Sequence, residues 1–294
     1  MRADRPSLTA QLVSGVRAVY ASFPSGLRIA PDPHAGALAP MPLAAAARAL
    51  TAVHLLAPAV HHGLGVASLG LSWHVALRTL AIDDAARDAF AAGARQMVLL
   101  GAGLDNRAGR LAQGIRSFEV DHPDMQRYKR ARLSAAGVRD DRVLVPVNFE
   151  RDSLHDSLVR AGFSAETPTL WIWESVTPYL TREAITATLR QVASLSAPAS
   201  RLVVTYIRPP HALGPTIHRL SSFLASTVGE HLRGRFEREE MESLLGETGF
   251  EIVSDESDHD LALRYWKDPR GALPRTMHLV PEWERLAVTK RAEA

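Results

Sequence analysis

Residues 96–111 read QMVLLGAGLDNRAGRL. A short apolar run, Met97–Leu100, passes straight into Gly101-Ala102-Gly103 and then into a helical pattern. A strand that enters glycines and then a helix lets the backbone approach a ligand closely at the helix N-terminus. The same turn also reads simply as a tight strand–helix connection. The third glycine of the three-glycine dinucleotide fingerprint is absent.

Downstream, short apolar runs keep alternating with amphipathic segments: RSFEVD then PDMQRYKRARLSAAG, RVLVPVNF then DSLHDSLVRAG, PTLWIWES then TREAITATLRQVASL, and SRLVVTYI then a helical stretch from about Thr216. Parallel neighbours need crossover connections, so this alternation predicts a doubly wound α/β sheet. A final pair, FEIVSDES and LALRYW, is separated by the polar DHD and is expected to form an antiparallel hairpin. Upstream, one helical pattern precedes a stretch broken by Pro31, Pro33, Pro40 and Pro42. Residues 43–92 predict three helices with breaks near Pro58 and Gly63–Gly65.

Of the 294 residues, 46% are apolar and 22% charged, the balance of a globular chain with a sizeable core. Net charge is +2, and the basic residues are spread rather than gathered on one face, which argues against nucleic acid as a partner. Cysteine is absent, which excludes disulfides and thiolate metal sites. The N-terminal twenty residues are broken by charges and do not read as a secretory signal, and no run of ~18 apolar residues predicts a membrane span. A cytoplasmic location is therefore expected.

The second strand closes on Asp121, 18 positions after Gly103. In doubly wound folds an acid there accepts from both hydroxyls of a ribose. Asp121 also reads as the cap of the helix that begins at Pro123, and Glu119, on the same strand face, is the second choice for the ribose. His54, His61, His62 and His74 cluster upstream without HExxH-type spacing, so no metal site is expected. No GxSxG elbow occurs, which argues against a hydrolase.

Several segments, in order, together resemble the leucine carboxyl methyltransferase family. They are Val98–Leu111; Phe118-Glu-Val-Asp-His-Pro123 with Lys129; Trp173-Glu-Ser-Val-Thr-Pro-Tyr-Leu180; Arg78-Thr79 with Asp83; and Asp32-Pro33-His34-Ala35. The resemblance runs from about residue 15 to 265. It implies a Rossmann-like, seven-stranded doubly wound sheet with a helical N-terminal lid, and S-adenosylmethionine as cofactor. By the same token, residues 1–92 are expected to be the lid or substrate segment. Residues 93–294 are expected to be the cofactor-binding core, with a lid insertion at about 209–249.

The resemblance also implies roles for single residues. Arg78 would pair with the methionine carboxylate, a planar partner suited to a guanidinium fork. Gly101, Ala102 and Gly103 would pass under the methionine and ribose, and Asp121 would take the ribose hydroxyls. Asn148-Phe149 stand where the family has an Asp and an apolar residue against the adenine; Asn keeps a carbonyl acceptor and Phe can stack. Glu174 would face the methionine ammonium, and Tyr179 would line the acceptor pocket. Read without the resemblance, Arg78 is a helix-surface residue paired with Asp83, and Tyr179 is a core tyrosine.

No catalytic residue is assigned. The resemblance implies O-methylation of a small-molecule or peptide carboxylate, of the kind met in secondary metabolism. A carboxylate is ionised at pH 7 and needs no general base, so the lack of an evident catalytic pair does not count against it. A phenol, enol or amine acceptor, or a fold-mate without methyl transfer, is the alternative. The acceptor's identity and the oligomeric state are not readable from the sequence.

Overall fold

The structure is a computed structural model that describes residues 8–23, 32, 34–52, 54–112, 114–138, 141–209, 232–266 and 284–292. Its centre is a seven-stranded sheet in the order β3-β2-β1-β4-β5-β7-β6. The strands are β1 (Gln96–Leu100), β2 (Arg116–Asp121), β3 (Val143–Pro146), β4 (Thr169–Trp173), β5 (Arg201–Ile207), β6 (Phe250–Ser257) and β7 (Glu284–Arg291). The first five are parallel, and β7 runs antiparallel between β5 and β6. Strand order reverses direction beside β1, so the C-terminal ends of β1 and β4 border the crevice where open α/β sheets bind ligands.

The continuous apolar runs are explained by two buried faces. Met97, Leu99, Leu170, Ile172 and Val203 face one core, and Val98, Leu100, Trp171, Trp173 and Val204 face the other. The first core is roofed by α5 (Leu71–Ala91), which buries fourteen of its 21 residues, together with α1 (Leu8–Ala21), α3 (Met41–Ala52) and α4 (Ala57–Ala67). The short α2 (Ala35–Leu38) and α7 (Pro123–Ala135) share a smaller cluster through Leu38, Met125 and Leu133. On the opposite face lie α8 (Leu154–Arg160), α9 (Arg182–Ser194) and α10 (Arg238–Glu247). A single helical turn, α6 (Arg107–Leu111), follows the glycine turn. The N-terminal helices thus share one apolar core with the sheet.

Two expectations about elements are corrected. LALRYW is not a strand: it belongs to α11 (Asp258–Tyr265). Ser257 accepts from the Asp260 amide while the Asp260 side chain accepts from the Ser257 amide, a reciprocal cap that makes the polar DHD the first turn of a helix. The antiparallel partner of β6 is instead ERLAVTKR, residues 284–291. In the N-terminal segment the break near Pro58 is present, since α4 starts at Ala57 with Pro58 in its first turn, where proline is tolerated. Gly63 and Gly65 lie inside α4 rather than breaking it, and the second break falls at Gly70, whose φ of 85° few other residues accept. Of residues 209–249, the stretch 210–231 lies outside the described residues, as does the expected helix start near Thr216. Residues 238–247 form α10, whose Met241, Leu244 and Leu245 pack into the second core.

Candidate active site

At the C-terminal edge of β1 the chain turns through Gly101 (φ +68°) and Gly103 (φ +49°). The Gly101 and Ala102 amides both donate to the Val120 carbonyl, at 2.7 and 3.1 Å, which ties the turn to β2. A Cβ on Gly101 would come within 2.3 Å of Val176 Cγ2, so this position is closed to side chains by sterics as well as by conformation. At Gly103 the nearest atom to such a Cβ is that of Ala10, on α1, at 3.6 Å. The first helix therefore lies directly over the turn.

Asp121 ends β2 beside this turn. Its Oδ2 accepts from the Gly103 amide at 2.5 Å and its Oδ1 from the His122 amide at 2.6 Å. Burial raises its pKa above the ordinary carboxylate value, and the two amides pull the other way. Asp121 is not the helix cap; His122 is, accepting from the Asp124 amide. Glu119 is 1% exposed, and both its oxygens are engaged, Oε2 by Lys129 Nζ at 2.7 Å and Oε1 by Arg142 at 3.1 Å, in a buried ion pair beneath α7. The second choice for the ribose is thereby removed.

Arg78 and Glu174 meet. Arg78 is 4% exposed and donates from Nε to Glu174 Oε1 at 2.7 Å, not to Asp83. The surface reading of Arg78 is corrected: Asp83 is taken by Arg107 Nε at 2.8 Å and by Arg110. Glu174 also accepts from Arg17 at 2.6 Å and from Arg107 at 3.1 Å. Burial opposes its charge, but the three guanidinium groups hold it well below the usual carboxylate range. Arg107 also clasps Asp105, two residues before it and just past the glycine turn.

The residue after Glu174 explains how that carboxylate is aimed. Ser175 has φ +54°, a strained value for a non-glycine residue, and is fixed there by its amide on Thr205 Oγ1 at 2.8 Å and its hydroxyl on Glu284 at 3.2 Å. Glu284 in turn accepts from Arg78 NH1 at 2.5 Å and lies 2.6 Å from His74 Nε2, while His74 Nδ1 meets Asp258 at 2.7 Å. Burial alone would lower the His74 pKa; Asp258 and Glu284 outweigh both burial and the repulsion of Arg78, raising it to about 9. With His74 charged, five cations (Arg17, Arg78, Arg107, Arg110, His74) face six carboxylates (Asp32, Asp83, Asp105, Glu174, Asp258, Glu284).

Asn148 and Phe149 follow β3 in a loop tied to Asp121 by the Val147 amide on the Asp121 carbonyl, at 3.0 Å. The Asn148 carbonyl is engaged within that loop by the Glu150 amide at 3.0 Å, and Phe149 packs half-buried against the second core. Tyr179 lies half-buried in a 3₁₀ turn, Thr177–Tyr179, after β4. Sequence reasoning missed Arg17, Asp105, Arg107 and Glu284. Asp105 and Arg107 stood inside the opening motif as a close acid–base pair; Arg17 and Glu284 gave no local signal, because only folding brings α1 and β7 to this edge.

Among the described residues no group of acids and histidines could hold a metal, and no single helix is long and apolar enough to cross a membrane. His61 Nδ1 meets Tyr20 Oη at 3.0 Å, and burial among Tyr20, Trp73 and Trp266 lowers its pKa to about 4.

A family model for leucine carboxyl methyltransferase matches residues 10–193. A candidate S-adenosyl-L-methionine-dependent methyltransferase of Parafrankia sp. (strain EAN1pec) is 40% identical over 171 residues, 57% of this chain and 54% of that protein. A counterpart named likewise in Mycobacteroides abscessus is 33% identical over 226 residues, 71% of this chain and 72% of that one. Against the first of these, and a Saccharopolyspora erythraea protein of which 51% is covered, the chain spans about half the relative's length. In structure it is similar to an O-methyltransferase family protein from Burkholderia thailandensis, with a TM-score of 0.50, 12% identity, and coverage of 86% of this chain and 61% of that one; the likeness is one of fold.

Proposed function

Because this chain belongs to the leucine carboxyl methyltransferase family, we propose that it transfers a methyl group from S-adenosylmethionine to a carboxylate of a small molecule or peptide. The observation that carries the reading is the convergence of Arg17 and Arg78 on Glu174 beside the Gly101–Gly103 turn. An amino acid's carboxylate and ammonium need two cations and an anion side by side, and this edge of the sheet supplies both. The surrounding network interleaves buried cations and carboxylates, so each charge of an entering zwitterion meets a group of opposite sign. The residues therefore fit the cofactor.

In this reading Arg78, with Arg17, holds the methionine carboxylate and Glu174 holds the ammonium. Asp121 takes the ribose hydroxyls while its bond to the Gly103 amide keeps the turn in shape. The Asn148–Phe149 loop borders the adenine. The N-terminal helices cover this edge and exclude water, and Tyr179 lines the acceptor side. When bound, the cofactor supplies a methyl group on a sulfonium leaving group, so the protein's task is positioning and desolvation.

Two buried histidines bear on the acceptor. His74 already carries its proton at neutral pH, and His61, with its pKa lowered to about 4, is a weak base, so neither is well suited to take a proton from a phenol. A carboxylate acceptor asks for no such step. We place the reaction in the cytoplasm, on an acceptor from secondary metabolism.

The test incubates the protein with methyl-labelled S-adenosylmethionine and a panel of carboxylic acids, phenols and amines. Methyl esters release labelled methanol in mild base; ethers and methylamines do not. Label that appears only in base-stable products refutes the carboxylate reading. Calorimetric binding of NAD with no binding of adenosylhomocysteine refutes the cofactor.

A further inference from the structure

We propose that Glu284 is a positioning residue: held by His74 and Ser175, it fixes the guanidinium of Arg78 for a ligand carboxylate without touching the ligand itself. The inference rests on the cofactor reading above.

Glu284 begins β7 and is 6% exposed. Its Oε2 meets Arg78 NH1 at 2.5 Å and His74 Nε2 at 2.6 Å, and its Oε1 accepts from Ser175 Oγ at 3.2 Å. His74 lies one helical turn before Arg78 on α5 and is pinned from its far side by Asp258 of α11 at 2.7 Å. One carboxylate is thus gripped from α5, from the strained corner after β4, and indirectly from α11.

The two acids on Arg78 have different duties. Glu174 answers Arg78 Nε, yet in the cofactor reading it must also serve the ligand ammonium, so its hold on Arg78 is exchangeable. A buried guanidinium whose lone partner turned away would be left uncompensated, which is strongly unfavourable. Glu284 has no such second duty. It keeps NH1 paired whatever Glu174 does, and it fixes the plane of the guanidinium so that NH2, engaged by neither acid, is presented at a constant angle. Bidentate recognition of a carboxylate depends on that plane.

The experiment compares adenosylhomocysteine with methylthioadenosine, which keeps the adenosine and thioether but lacks the amino-acid carboxylate and ammonium. Affinities come from calorimetry, with displacement titration for the weaker ligand. Glu284→Gln should weaken adenosylhomocysteine about tenfold to a hundredfold while leaving methylthioadenosine within about twofold. Glu284→Asp, which keeps the charge and guards against failure of the first variant to fold, should weaken adenosylhomocysteine by a smaller factor and again spare methylthioadenosine. Equal losses for both ligands, or none for either, overturn the inference and leave Glu284 a structural residue. Wild-type protein that binds neither nucleoside overturns the cofactor reading and this inference with it.

Discussion

Gly101 and Gly103 look alike in sequence, but the structure makes them unequal, and replacing each by alanine tests the geometry of the turn. Both have positive φ, for which a side chain costs about 1–2 kcal/mol. At Gly103 the added Cβ finds ordinary contact with Ala10 at 3.6 Å, so that cost stands alone. At Gly101 the Cβ lies 2.3 Å from Val176 Cγ2, and overpacking adds about 1–3 kcal/mol. Gly103→Ala should therefore destabilise by about 1–2 kcal/mol and Gly101→Ala by about 2–5 kcal/mol. Trimming the obstacle separates the two contributions: in the Val176→Ala background the Gly101→Ala penalty should shrink to that of Gly103→Ala, a coupling of about 1–3 kcal/mol. Urea denaturation of the four variants and the parent measures all of these. Equal penalties at the two glycines, or a Gly101→Ala penalty unchanged by Val176→Ala, would refute the account of the turn.

Two further outcomes are expected. Glu119→Gln should lower stability, because it leaves Lys129 without its buried partner, yet keep adenosylhomocysteine affinity unchanged; Asp121→Asn should do the reverse, losing about tenfold or more in affinity. Thermal melts and calorimetry on both variants check this crossing. His74 has a folded pKa of about 9, above its unfolded value of 6.5, so its contribution is complete below pH 6.5 and is lost as pH rises through about 9. On the order of 3 kcal/mol of stability should disappear across that window as the pair with Asp258 and Glu284 discharges beside Arg78, and the loss should be absent in His74→Gln. Urea midpoints measured between pH 6 and 10 show whether it is.

The sheet was legible because each parallel strand is buried on both faces and announces itself as an unbroken apolar run; Thr169–Trp173 and Arg201–Ile207 fall inside the segments read as strands. Glu284–Arg291 carried no such mark. Arg285 and Lys290 interrupt it, and it is a strand because without it β5 has one open edge and β6 has no partner. LALRYW misled for the opposite reason: its apolar residues suit a strand, and the Ser257–Asp260 cap, three residues apart, outweighed them. At the site, Arg78, Asp121 and Glu174 stood out as charges at predictable strand or helix positions. What decides their geometry is less local: Arg17 lies 157 positions from Glu174 and Glu284 lies 206 from Arg78.

The place of β7 bears on how the chain is made. Residues 201–207 leave the ribosome some eighty residues before 284–291, yet β5 is completed on one side only by that late strand. During synthesis β5 therefore waits with an open edge of amides and carbonyls, the feature through which nascent sheets pair with the wrong partner. The same late segment delivers Glu284 to Arg78. Closure of the sheet and completion of the charge network are one event, so a polypeptide released early presents an adhesive edge together with a guanidinium that has lost one of its two carboxylate partners.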